Sequence, residues 1–328
     1  MSEKLMDTKM WALVAAIIVV TSGLIVIGAE TQNLSSKSPG KITVTDSLGR
    51  TFTFNHTLTR IVSLDPSATA TLYAIGAYKD MVGGNEFDCY PPNESLPNVG
   101  DAFSVNYEAL LNLSPQLVLG YGSSMPTYGT CINNTLHIPF MLDNPESFQQ
   151  IENETMMLGT LTGTQSNASL VVSWMQQNIA SINSTTSALP GNNQSIFYYN
   201  CNIGGIWTAG TGTFINQFFT TVHVRNIVKQ PGFRTISQEC IANASPSIIL
   251  LDQYVPVSAV NCAPFNQTAA MTSSPQRVYT MFNDNFFVDP DFRVVFGIQW
   301  VAQEIYPAVQ LQLSPFPLNL QYYPGPTA

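Results

Sequence analysis

Residues 105–120 read VNYEALLNLSPQLVLG, and residues 236–251 read ISQECIANASPSIILL, 131 positions further along. Aligned without a gap, the two stretches share Glu108/Glu239, Asn112/Asn243, Ser114/Ser245, Pro115/Pro246 and Leu119/Leu250. Most other apolar positions also pair, valine or leucine against isoleucine. Each copy opens on a good helix N-cap, Asn106 or Ser237, with a glutamate two residues later. A short apolar helix follows, Ser-Pro breaks it, and a continuous apolar run reads as a buried strand. Self-similarity of this kind marks a folding unit used twice.

Working outward, KITVTDSLGRTFTF (41–54) alternates apolar and polar residues about a turn and predicts a β-hairpin. IVSL (61–64), a helix near 67–76 ending at Gly76, MVGG (81–84), LVLG (117–120) and IPFM (138–141) then interleave strands with helices. From Pro145 to about Ala188 strand signals cease. Ile151, Met157, Leu158 and Leu161 lead to Gly163, and Leu170, Val171, Trp174, Met175, Ile179 and Ile182 continue at helical spacing, so two helices are expected, the second long. SIFYYN (195–200), SIILLD (247–252) and RVYTMF (277–282) resume the strands, and 293–306 reads as a closing helix. The expected fold is α/β: two similar lobes with parallel-type sheets, joined by one long helix, with a ligand cleft between them. The boundaries read as an N-terminal lobe over 41–144, a helical linker over 145–190, a C-terminal lobe over 191–312 and an irregular Pro-rich tail over 313–328.

The first forty residues differ in kind. Trp11 to Gly28 carries no charge and follows Lys4 and Lys9, which predicts a membrane anchor within 1–29 with its lysine side inside the cell. A cleaved signal peptide is the competing reading, but no clear small-x-small site follows the apolar run. Residues 30–40 then form a polar tether holding the remainder at the cell surface, outside the cytoplasmic membrane.

Only 10% of the 328 residues are charged, against about 25% in ordinary soluble domains. Eleven Asn-x-Ser/Thr sequons, an excess for this composition, supply another way to keep the surface wet. Asn33, Asn55, Asn93, Asn133, Asn153, Asn167, Asn183, Asn193 and Asn266 are the candidate glycosylation sites; proline follows the sequons at Asn112 and Asn243 and makes them poor acceptors. The net charge of −9, with no basic stripe, excludes a nucleic-acid partner. Five cysteines show no metal-type spacing; some can pair outside the cell, and buried free thiols fit equally well. His56, His137 and His223 are dispersed, and G-x-S-x-G, P-loop and dinucleotide fingerprints are absent, so no enzyme is expected, nor a site for a bare metal ion or a resident cofactor.

Helices antiparallel to a parallel sheet begin at the edge where strands end, and ligands bind at that edge. Glu108 and Glu239 therefore sit at corresponding places on the ligand-facing edge of each lobe. Capping the helix dipole accounts for one such anion, at about 0.3–1 kcal/mol. Two carboxylates flanking a cleft also suit docking onto basic residues of a partner. The residues alone leave both readings open.

DSLGRTFTF, RIVSLDPSATATLYAIG (60–76), VGGNEFDCYPP (82–92), PNVGD (97–101), IWTAGTGTFI (206–215), the two copies of the repeat and VYTMF…DPDFR…WVAQEIYP follow one another in an order that resembles the periplasmic-type binding proteins of ABC importers for vitamin B12 and ferric siderophores. The resemblance covers roughly 41–310 and departs from the usual pattern at Ala70 and Arg225. It implies two lobes that move only slightly about a cobalamin or iron-siderophore ligand. It also implies a membrane permease with its ATPase as partner, docked through Glu108 and Glu239. Candidate ligand contacts at strand ends are Asp65, Ser67, Phe87, Tyr90, Tyr121 and Tyr128 in the first lobe and Asn202, Trp207, Tyr254 and Asn283 in the second. The alternative is a glycosylated surface protein that keeps this fold without transport.

Overall fold

Ile42 and Val44 turn inward, and Thr43 and Thr45 outward, along β1 (Ile42–Thr45), which pairs antiparallel with β2 (Thr51–Phe54). The hairpin is tied to the first lobe by Ser47, whose N–H and hydroxyl both donate to the Leu142 carbonyl. The computed structural model describes residues 40–88, 90–92, 96–101, 103–189 and 194–321. The expected anchor, the tether up to residue 39, and the candidate acceptors Asn33, Asn93 and Asn193 lie outside the described residues. Lys41–Ala328 form one compact unit.

The first lobe runs β3 (Ile61–Ser63), α1 (Pro66–Ala74), β4 (Met81–Gly83), α2 (Tyr107–Leu113), β5 (Leu117–Tyr121), α3 (Thr127–Thr130) and β6 (Phe140–Asp143). Its sheet is parallel, in the order β4-β3-β5-β6. Two helices follow, α4 (Phe148–Thr162) and α5 (Gln165–Ser187). The second lobe runs β7 (Ser195–Tyr199), β8 (Cys201–Asn202), β9 (Ile206–Ala209), α6 (Phe214–Thr221), β10 (Arg225–Asn226), β11 (Phe233–Ile236), α7 (Gln238–Ala244), β12 (Ile248–Leu251), α8 (Ala269–Thr272), β13 (Val278–Thr280) and α9 (Val294–Ile305). Its parallel sheet has the order β10-β7-β12-β13. In each lobe the order by sequence is therefore second, first, third, fourth, and the repeated stretch supplies the third strand and the helix before it. The central strands β3, β7 and β12 are buried along their whole length, as parallel strands covered on both faces must be.

Both copies of the repeat close in the same way. Asn106 accepts from the Ala109 N–H and Ser237 from the Cys240 N–H, each capping its helix. Ser114 and Ser245 end the helices in the left-handed region, at φ of 44° and 41°. The proline that follows each of them bars the ordinary helical conformation there, so the chain turns abruptly into the strand.

Helix α5 has 23 residues, about 34 Å of helix at 1.5 Å per residue. It buries Ala168, Val171, Trp174, Met175, Asn178 and Ile182 as one stripe and packs against α4, α6 and α9. Residues 306–321, after α9, have no regular structure but are held to this stripe. Ser314 accepts from the Trp174 indole N–H through its carbonyl and donates its own N–H to Asn178, while the Phe316 ring lies 5.1 Å from that of Trp174. One feature unexpected from the sequence is a small antiparallel sheet, β11-β9-β8, in the second lobe. Its strands are only two to four residues long, with Gly204 and Gly205 between β8 and β9 and Gly210 just past β9, too short to show an alternation.

Candidate functional site

In a sheet ordered second-first-third-fourth, the connections diverge between the first and third strands, and a crevice opens at their C-terminal ends. In the first lobe those ends are Leu64-Asp65 after β3 and Tyr121 at the end of β5. In the second lobe they are Tyr199-Asn200 at β7 and Asp252 after β12. Each pair lines a cavity. Asp65, Ser67, Phe87, Phe103, Tyr121 and Asp289 are among the walls of one, about 290 Å³ in volume. Asn200, Asn202, Ile203, Asp252, Tyr254 and Asp284 are among the walls of the other, about 610 Å³. Val288 lines both, so the two cavities meet at one side chain on the loop between β13 and α9.

Asp65 is the most constrained of these groups. It is the N-cap of α1: Oδ1 accepts from the Ser67 N–H at 2.9 Å, while Pro66 occupies the first helical turn. Its side chain is 2% exposed and Oδ2 has no hydrogen-bond partner. Burial, reinforced by the nearby Asp143 and Asp289 carboxylates, raises its pKa from 3.8 to about 8. Burial likewise raises Asp289 to about 7, against the pull of Arg293, whose Nη2 donates to Asp289 at 2.9 Å and to Asp291 at 2.6 Å. Across the cleft, burial also raises Asp252 and Asp284. Asp252 accepts from the Tyr254 N–H and the Tyr198 hydroxyl.

Facing the carboxyls are aromatic side chains with little protein cover. Phe103 is 94% exposed and Tyr254 77%, and Phe87 and Tyr121 are also open. Large exposed rings around a concave, acidic floor suit a bulky ligand that they can cover.

Of the sequence-derived contacts, the structure gathers Asp65, Ser67, Phe87 and Tyr121 in the first cavity and Asn202 and Tyr254 in the second. Four others line neither. Tyr90 is only 7% exposed and packs against Tyr73 and Phe292, with the Arg293 guanidinium 5.5 Å from its ring centre. Tyr128 packs edge-on against Phe140. Trp207 donates its indole N–H to the Ile203 carbonyl, and Asn283 caps the turn at Asp284–Phe286. Sequence reasoning missed Asp101, Phe103, Val288 and Asp289, all on loops without periodicity; the DPDFR run was the one available signal for Asp289.

Glu108 and Glu239 are exposed, each in the first turn of its capped helix before the third strand. A backbone N–H and the Ser237 hydroxyl hold the Glu239 carboxyl below its ordinary pKa. Two further cavities lie outside the cleft. One, about 710 Å³, is lined by Asp143, Glu146 and Glu154 beside the hairpin. The other, about 440 Å³, is lined by His223, Arg225 and Lys229 on the second lobe. Among the described residues no group of His, Cys, Asp and Glu is placed to hold a metal ion, and Cys131, Cys201, Cys240 and Cys262 are free thiols. No helix among the described residues is long and apolar enough to cross a membrane.

Comparison with known proteins matches residues 61–270 to the family described as periplasmic binding protein. The chain is 27% identical, over 81% of its length and 86% of the relative's, to an uncharacterized ABC transporter substrate-binding lipoprotein of Bacillus subtilis. It is 25% identical to a cobalamin-binding protein of Halobacterium salinarum, over 72% of this chain and 63% of that one. A solved structure of a possible iron-binding periplasmic solute-binding protein from Staphylococcus epidermidis superposes with a TM-score of 0.68 at 23% identity, covering 76% of this chain and all of that one. At that identity the likeness shows the two-lobed fold alone.

Proposed function

We propose that this chain, which belongs to the periplasmic binding protein family, is the extracytoplasmic substrate-binding protein of an ABC importer that captures a corrinoid or ferric siderophore and presents it to a membrane permease. The observation that carries this reading is the pair of cavities at equivalent points of two equivalent sheets, meeting at Val288. A ligand held by both walls fixes the relative position of the lobes, and so determines how Glu108 and Glu239 are presented together. Steering by two well-separated carboxylates favours a partner with matching basic residues. The N-terminal apolar segment would keep the protein beside that permease, and sugars on the exposed Asn55, Asn153, Asn183 and Asn266 would face outward.

Native mass spectrometry of the protein purified from its own cells tests the ligand. The expected spectrum carries the added mass of a cobalamin or a ferric chelate. Protein that arrives empty and binds neither cyanocobalamin nor a ferric siderophore on titration would refute the proposal.

A further inference from the structure

The second lobe carries a cavity that the cleft does not use. Asn216, Thr220 and His223, spaced i, i+4 and i+7 along α6 and the turn after it, line one side. Arg225 and Asn226 of the edge strand β10, with Lys229 just beyond, line the other. The volume of about 440 Å³ lies within the range of small-molecule sites. A groove between a helix and its sheet is ordinarily filled by apolar side chains, yet Val224 is the sole apolar residue of this lining.

The charge here is one-sided. Two fixed cations and an imidazole line the cavity and no carboxylate does, on a chain whose net charge is −9. Four arginines elsewhere are spent on the fold. Arg50 pairs with Asp46, and Arg293 with Asp289 and Asp291. Arg60 donates to the Leu113 and Ser114 carbonyls at the end of α2, and Arg277 to the Ile305 carbonyl at the end of α9. Among the described residues, Arg225 and Lys229 have no ion-pair partner. Like charges gathered at one concavity repel each other and concentrate anions there.

The walls are fixed without a ligand. The Arg225 N–H donates to the Gln194 carbonyl at 2.7 Å, holding β10 on β7. Asn226, 5% exposed, donates its amide to the Ala209 carbonyl and to Asn216 Oδ1. Because that bond takes the Asn216 oxygen, the NH2 of Asn216 is the end left to donate. The His223 ring is held by the Asn183 carbonyl at 3.1 Å, and the Thr211 hydroxyl pins the Lys229 carbonyl at 3.1 Å.

We propose that this cavity is a second binding site, separate from the cleft, for a tetrahedral oxyanion: phosphate or sulfate, free or as the ester group of a small organic molecule. Arg225 and Lys229 are its charged contacts and Asn216 its neutral donor. A guanidinium offers forked N–H donors that match two oxygens of such an ion, and an ammonium adds a point charge. The cavity is larger than a bare ion fills, which leaves room for the carbon skeleton of an ester. The inference goes beyond the binding-protein reading and does not depend on it, since none of these residues lines either cleft cavity.

The test is equilibrium dialysis of the full chain, at low ionic strength, against radiolabelled inorganic phosphate and against glycerol 3-phosphate. Saturable one-to-one binding is expected, weakening as chloride is added. Arg225→Gln and Lys229→Gln should each lower affinity by about tenfold or more, and the two together should abolish binding. Arg234→Gln removes a cation outside the cavity and should leave affinity within about twofold. Tighter binding of the ester would assign the site to an organic phosphate, and equal binding to the free ion; either result supports the oxyanion site. No saturable binding by either probe, unchanged affinity in the Arg225 and Lys229 variants, or an equal loss in Arg234→Gln would overturn it.

Discussion

Replacing Asp65 by asparagine tests the electrostatics of the cleft floor without any ligand. The carboxyl moves from a pKa of 3.8 when the chain is unfolded to about 8 when folded, burial being the largest cause. A raised carboxyl binds its proton more tightly in the folded state, so the stability it contributes is fully present below about pH 4 and is lost as pH rises through about 8. At about 1.36 kcal/mol per pKa unit, ionising Asp65 in place costs up to about 5 kcal/mol by pH 9. Asparagine carries no such cost, and its side-chain oxygen can still accept from the Ser67 N–H as the cap of α1. In thermal melts the variant should match the parent within about 2 °C at pH 4 and exceed it by up to about 10 °C at pH 9, at about 2 °C per kcal/mol for a chain of this size. Asp289, raised to about 7, and Asp143, raised to about 6, act in the same direction, so the parent's own melting temperature should fall between pH 4 and 8. A gap between variant and parent that is the same at both pH values would refute the argument that burial holds Asp65 neutral.

Reversing both docking charges, Glu108→Arg with Glu239→Arg, should abolish uptake by cells while leaving ligand affinity within about twofold, since neither residue lines the cleft; uptake at the parental rate would end the docking proposal. Gly297→Ala places a methyl 2.4 Å from the Phe286 carbonyl oxygen, where α9 meets the loop bearing Val288. It should cost about 2–3 kcal/mol in urea unfolding and weaken ligand binding as well. Trp174→Ala removes the ring that packs on Phe296 and Phe316 and the donor to Ser314. An unfolding loss of about 3–5 kcal/mol is expected, with faster proteolysis of the chain after residue 310.

The parts of this molecule that were legible beforehand are those where side-chain pattern follows backbone geometry. IVS, SIFYY and IILL read as buried strands because a parallel strand has no polar face to interrupt the run. The paired Ser-Pro breaks located both third strands, and with them the crevices. The identity of the cleft walls was harder to read. Tyr90 and Phe103 both lie on loops after a strand; one is packed under Arg293 and the other open to solvent, and nothing in local sequence separates them. Asp289 enters the cleft only because the loop from β13 to α9 passes between the lobes, a tertiary fact without periodicity. The sheet β11-β9-β8 escaped notice because its strands, two to four residues long, are too short to show an alternation.

Val288 stands between the two cavities and belongs to both. A molecule confined to one lobe's pocket needs only to pass beside this side chain, whereas one that bridges the lobes must drape over it. Under the proposed reading Val288 would gauge ligand span: enlarging it to tryptophan would divide the cleft into two small compartments, and trimming it to alanine would merge them. A single position would thus offer a means of retuning the span of the cleft without altering the carboxyls or the rings that line its walls.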